Sequence, residues 1–120
     1  MPLSVGVDVI EIARVGAVIE RWQEKFLERV YTPGELRYCR GRIAELAARF
    51  AAKEAISKAL GTGIRGLAWR DMEVVPDPLG KPLVRLHDRA LQRAKTIGLT
   101  EFALSLSHSR EYAVAMVVAS

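Results

Sequence analysis

The chain is short of several things, and each shortage closes off a class of protein. Cys39 is the single cysteine in 120 residues, so no internal disulfide can form, and no Cys or His stands near it at metal-ligand spacing. It is expected to be a packed or idle thiol. No stretch reaches the ~18 consecutive apolar residues of a membrane span, and the opening MPLSVGVDVIEIAR lacks the basic segment and long apolar run of a leader. The expectation is a cytoplasmic protein with no membrane contact. Aromatic residues make up only 7%, and none are interleaved with basic side chains in the way that stacks bases, which argues against nucleic acid as a partner. No GxxxxGK[ST] loop is present to cradle a nucleoside triphosphate. Repeats, linkers and low-complexity tracts are missing too, so one domain spanning 1–120 is expected.

What remains is ordinary globular material. Half of the residues are hydrophobic and 27% are charged, enough apolar side chains for one core. Lys and Arg number 18 against 14 Asp and Glu, a formal charge of +4, which favours anionic partners without naming them.

Residues 3 to 10 alternate, Val5, Val7 and Val9 on one side and Gly6, Asp8 and Ile10 on the other, as a strand requires. From about 12 to 29, Val15, Val18, Ile19, Trp22, Phe26 and Val30 recur at three- and four-residue steps, the stripe of one amphipathic helix. Thr32-Pro33-Gly34-Glu35 matches a capping box with proline at the first helical position. Gly41 interrupts that helix, and an alanine-rich helix runs from about Ile43 to Leu60, closed by Gly61. Strands over 69–75 and 83–87 flank a proline- and glycine-rich turn. A short helix over 88–97 precedes final strands over 102–107 and 112–118. Consecutive strands, rather than strict strand–helix alternation, predict an α+β fold: a mostly antiparallel sheet packed against helices.

Asp8 sits among valines, where an ionised carboxylate is costly unless paired. It either caps the following helix or serves a site, and Gly6 beside it leaves room for close approach. Glu54 is either half of an ordinary surface pair with Lys58 one turn later or a carboxylate on the face of Phe50 and Ala51, which should pack inward. Two inward carboxylates suit magnesium, which takes one or two and leaves its other positions to water and substrate phosphate. Lys58 would then be a mobile charge beside those phosphates. Ser105 and Ser107 fall on one strand face and His108 on the other, so a serine nucleophile with a histidine base is a weak reading. Arg14, Arg21 and Lys25 lie along one flank of the first helix. Glu20, Glu24 and Glu28 on the adjacent flank can neutralise them; otherwise this basic edge is free for an acidic partner.

Taken together, Gly6-Val7-Asp8 with Arg14, Phe50-Ala51-Ala52-Lys53-Glu54-Ala55 with Lys58, and Ser105-Leu106-Ser107-His108 resemble the holo-acyl-carrier-protein synthase family of phosphopantetheinyl transferases. Gly61-Thr62-Gly63, Asp71-Met72-Glu73-Val74 and Gly80-Lys81-Pro82 look like the family's intervening landmarks. The resemblance covers essentially the whole chain and implies one 4′-phosphopantetheinyl transferase domain. It implies a magnesium-dependent enzyme that transfers the 4′-phosphopantetheine arm of coenzyme A to a serine of apo acyl carrier protein, releasing adenosine 3′,5′-bisphosphate, in fatty acid biosynthesis. By the same resemblance Asp8 and Glu54 hold magnesium, and Lys58 lies beside the coenzyme A pyrophosphate. Ser107 and His108 belong to the coenzyme A pocket, and Arg14, Arg21 and Lys25 meet the carrier protein. Longer, pseudo-dimeric relatives carry a third acidic ligand where this chain has Ile10, so water takes that position here. A homotrimer with sites between subunits is also implied. The base that receives the serine proton is either Glu54 or a water on the metal. The competing class is a small basic binding module with no chemistry, which leaves the inward acids unexplained.

Overall fold

Residues 2–120 are described by the structure, a computed structural model. The alternation near the start becomes β1 (Ser4–Glu11), whose Gly6 is buried and whose Asp8 and Ile10 face inward while Val5, Val7 and Val9 face out. The expected long helix is in fact two, α1 (Ile12–Trp22) and α2 (Glu24–Val30). Gln23 between them has φ of 47°, in the left-handed region. Periodicity could not show this break, because Val15 and Ile19 before it and Phe26 and Val30 after it keep their spacing while the axis turns.

The capping box forms as read: the Glu35 amide donates to Thr32 Oγ1 at 3.1 Å and the Thr32 amide to Glu35 Oε1 at 2.9 Å, opening α3 (Pro33–Cys39). Arg40 and Gly41, both at positive φ, end α3 and admit α4 (Ile43–Ala59). The segment expected as a strand from 69 begins instead with a 3₁₀ turn, Trp69–Asp71, because Asp71 accepts from the Ala68 amide through its side chain and donates to the Ala68 carbonyl. β2 (Met72–Pro76) and β3 (Pro82–Leu86) follow as a hairpin, then α5 (Asp88–Thr96), β4 (Phe102–His108) and β5 (Tyr112–Ala119).

The strands form two antiparallel sheets rather than one: β1-β5-β4 and β2-β3. α4 lies across the inner face of the first sheet, where Ala51, Ala52, Ala55 and Ala59 meet Ala115, Val117 and Ala119 in the core. Small side chains let the helix axis come close to the strands. At Gly6 the approach is closest, since a Cβ there would sit 1.9 Å from the Ala55 carbonyl oxygen. The outer face of the same sheet is uncovered: Val5, Val7, Val9, Met116 and Val118 are 40–65% exposed, and the pairing of Val5 with Val118 and of Val7 with Met116 makes them one continuous patch.

Candidate active site

Asp8 on β1 and Glu54 on α4 converge on one cleft of about 280 Å³, which Arg14, Val15 and Val18 of α1, Phe26 of α2 and Phe50 also line. Gly6 sets this convergence by letting β1 run against α4. The two readings of Asp8 resolve against the cap, because β1 continues three residues past it and no side chain caps the start of α1. Lys58 does not pair with Glu54; its Nζ donates to Asp8 Oδ1 at 3.2 Å and to the Val7 carbonyl at 2.9 Å. That places a flexible cation, half exposed, at the mouth of the acidic pair.

Burial raises the Glu54 carboxyl above its ordinary value, the Asp8 charge raises it further, and Lys58 opposes both. A carboxylate pressed by its neighbour in this way is relieved by a cation, and two carboxylate donors match what magnesium takes from a protein. Among the described residues no group of three or more His, Cys, Asp or Glu is placed to hold a metal. Two protein ligands are therefore what the cleft offers, with Ile10 on its wall where a third acid would stand.

The remaining candidates divide. Arg14 lines the acidic cleft itself. Lys25 lines an adjoining groove of about 410 Å³ with Val18, Trp22, Phe26 and Arg29, and the Arg21 guanidinium lies 5.1 Å from the Trp22 ring centroid. Among the described residues no ion pair ties these cations to Glu20, Glu24 or Glu28. Val18 and Trp22, read from periodicity as part of a buried stripe, are 36% and 50% exposed. The break at Gln23 leaves them at the surface, an apolar strip with basic neighbours that sequence reading missed. Its signal was present in the alternation of large apolar and basic residues, Val18, Arg21, Trp22 and Lys25.

Ser107 and His108 are not brought to this cleft within the chain. Ser107 lies on the exposed outer face of the sheet, and His108 Nε2 is 3.8 Å from Glu45 Oε1 on α4. Glu45 in turn pairs at 3.0 Å with Arg49, whose guanidinium stacks 4.5 Å from the Tyr38 ring centroid. The Arg49 guanidinium thus shares Glu45 with His108, a basic group that the sequence reading did not single out. Cys39 is buried, and burial pushes its thiol up to about 11, so it is inert as expected.

A larger cleft, about 690 Å³, opens between α3, β3 and α5 and holds neither Asp8 nor Glu54. Its one carboxylate–histidine pair is already engaged: His87 Nε2 with Glu73 Oε1 at 2.9 Å, while Thr32 Oγ1 donates to Glu73 Oε2 at 2.8 Å. Size alone therefore does not make it the reactive site.

Known proteins resemble this chain over nearly its whole length. A model described as the 4′-phosphopantetheinyl transferase superfamily matches residues 4–117. A holo-[acyl-carrier-protein] synthase of Herpetosiphon aurantiacus is 48% identical over 123 residues, covering 97% of each chain. One from Koribacter versatilis is 45% identical over 122 residues, covering 98% of each. Among solved structures, the Helicobacter pylori holo-[acyl-carrier-protein] synthase in complex with coenzyme A superposes with a TM-score of 0.89 at 34% identity, covering 97% of this chain and 99% of that one.

Proposed function

The chain belongs to the 4′-phosphopantetheinyl transferase superfamily, as a holo-acyl-carrier-protein synthase, and from that premise we propose that it moves the phosphopantetheine arm of coenzyme A onto a serine of apo acyl carrier protein, with magnesium, in the cytoplasm and in service of fatty acid synthesis. The observation that carries the reading is the convergence of Asp8 and Glu54 in one cleft with Lys58 at its mouth. We take residues 1–120 as one transferase domain.

Asp8 and Glu54 would hold the magnesium. Bound there, the metal supplies positive charge that neutralises the pyrophosphate and makes its phosphorus easier to attack. The chain's own side chains do the rest. Lys58 swings from Asp8 toward the pyrophosphate and offsets the charge that grows on the departing adenosine 3′,5′-bisphosphate. The proton of the attacking serine hydroxyl goes to Glu54 or to a water beside it. Val15, Val18, Phe26 and Phe50 give the cleft an apolar wall.

The cleft at Asp8 is small for a ligand the size of coenzyme A, since nucleotide and drug-sized pockets begin at about 300 Å³. A second wall is needed. The bare patch of Val5, Val7, Val9, Met116 and Val118 supports a homotrimer in which neighbouring sheets cover one another. Ser107 and His108 on β4 would then belong to the coenzyme A wall of the next subunit, with Arg49 near its phosphates. Arg14, Arg21 and Lys25 around the exposed Val18 and Trp22 form a docking strip for an acidic, amphipathic carrier helix.

The test is direct. Protein, coenzyme A, magnesium and an apo carrier are mixed and the carrier is weighed by mass spectrometry; addition of the phosphopantetheine arm is expected, and Asp8→Ala or Glu54→Ala should abolish it while leaving the fold intact. No transfer by the unaltered enzyme to any apo carrier tested would sink the reading.

A further inference from the structure

α4 is buried on nearly every side, and what it buries is mostly methyl groups: Ala47, Ala48, Ala51, Ala52, Ala55 and Ala59. A helix of this kind presents shallow ridges and no single apolar stripe, so packing alone fixes its rotation and register weakly. Sliding by one residue moves it ~1.5 Å and turns it by ~100°. Such a slip would carry Glu54 and Lys58 away from Asp8, and Leu46 and Ile56 are the only large apolar side chains fully buried on α4 that would resist it.

Besides the Tyr31 hydroxyl on the Leu46 carbonyl and the Ser4 hydroxyl on the Ala59 carbonyl, one fully buried side chain of α4 makes directional bonds to several other segments at once. Lys53, fully buried, donates to Glu35 Oε1 at 2.8 Å, to the Met72 carbonyl at 2.7 Å and to the Trp69 carbonyl at 3.2 Å. Those three bonds use all of its donors. Glu35, also buried, is held by the Thr32 amide at 2.9 Å and the Val74 amide at 2.8 Å. The ammonium therefore sits where α3, the 3₁₀ turn and β2 meet, and no buried side-chain nitrogen or oxygen among the described residues lacks a partner. A shift of α4 by one residue would break all three bonds at once.

We propose that the buried Glu35–Lys53 pair is a positioning device for the transfer site, fixing the rotation and register of α4 and so aiming Glu54 and Lys58 at Asp8. The inference rests on the transferase reading above. Buried ion pairs contribute little net stability compared with apolar replacements, and fixing register is the role best attested for them. Lys53 and Glu35 are positioning residues: they face away from the cleft and touch no part of it.

The experiment compares three variants with the unaltered enzyme. Lys53→Met removes the anchor and leaves Glu35 unpaired. Glu35→Gln/Lys53→Met removes the anchor and the stranded charge together, so its unfolding midpoint should recover toward wild type. Its kcat per folded molecule should nonetheless stay at least tenfold down, with KM for coenzyme A and for the carrier within about threefold. The rise in melting midpoint caused by adding magnesium with coenzyme A should also shrink. Glu35→Gln alone keeps an oxygen acceptor for Lys53 but loses the Val74 bond and the buried counter-charge, so it should lose stability yet keep kcat within threefold. A double variant with wild-type kcat and a full ligand-induced rise overturns the assignment. A tenfold loss of kcat per folded molecule in Glu35→Gln would overturn the assignment equally. Absence of transfer by the unaltered enzyme would instead strike the function itself.

Discussion

Gly6→Ala should damage the site without touching a reactive atom. A Cβ at position 6 would lie 1.9 Å from the Ala55 carbonyl oxygen, 2.9 Å from its carbon and 3.0 Å from the Ala59 nitrogen. All three are backbone atoms of α4, so no flexible side chain can swing aside. Restoring an ordinary separation of about 3.4 Å requires β1 and α4 to part by roughly 1.5 Å. Strand β1 is held on its other side by eight register pairs with β5, so the displacement falls on the helix contact. The Lys58–Asp8 bond, now 3.2 Å, would open beyond hydrogen-bond range, and the Ser4 hydroxyl would leave the Ala59 carbonyl at 2.6 Å. Overpacking of this kind costs about 1–3 kcal/mol of stability, and misplacing reacting groups by about 1 Å costs about 100-fold in rate. The assay is the initial rate of phosphopantetheine transfer by mass spectrometry, alongside urea unfolding. Gly16→Ala is the control: its Cβ meets only Ile43 Cγ2 at 3.5 Å, inside a helix, so it should gain about 0.5–1 kcal/mol. Gly6→Ala with wild-type rate and midpoint would refute the claim that β1 is pressed against α4 to assemble the site.

Three further outcomes follow from the same geometry. Arg14→Glu should weaken carrier binding by roughly tenfold at low salt and progressively less as salt rises; a loss that ignores salt would mean Arg14 acts through packing. Asp8→Asn should lower the Glu54 midpoint in a carbon-13 NMR titration of the metal-free protein, because the Asp8 charge is one of the two causes that raise it; an unmoved midpoint would remove that cause. Since the folded-state value of Glu54 lies above the unfolded one, its contribution to stability is fully present below the ordinary carboxylate value. It fades as pH rises through the raised one. Val7→Glu, placing a charge on the bare sheet face, should convert a trimer to monomers in sedimentation and remove activity. An intact, active trimer would show that this face is not the interface.

The sequence by itself determined the elements and the candidate acids. Strand alternation placed Asp8 beside Gly6, the capping box marked α3, and the face shared with Phe50 and Ala51 singled out Glu54, because these signals are local and need only a few neighbouring residues. Tertiary structure decided what local signals cannot. Lys58 serves Asp8 rather than Glu54 because β1 passes within reach, a contact spanning fifty residues of chain. The turn at Gln23 brought Val18 and Trp22 to the surface, which a period of 3.6 cannot register since it carries no axis direction. Lys53 looked like any lysine on a helix until α3 and β2 closed over it. A buried charge is recognisable only once its partners are assembled, and those partners came from segments eighteen and nineteen residues away.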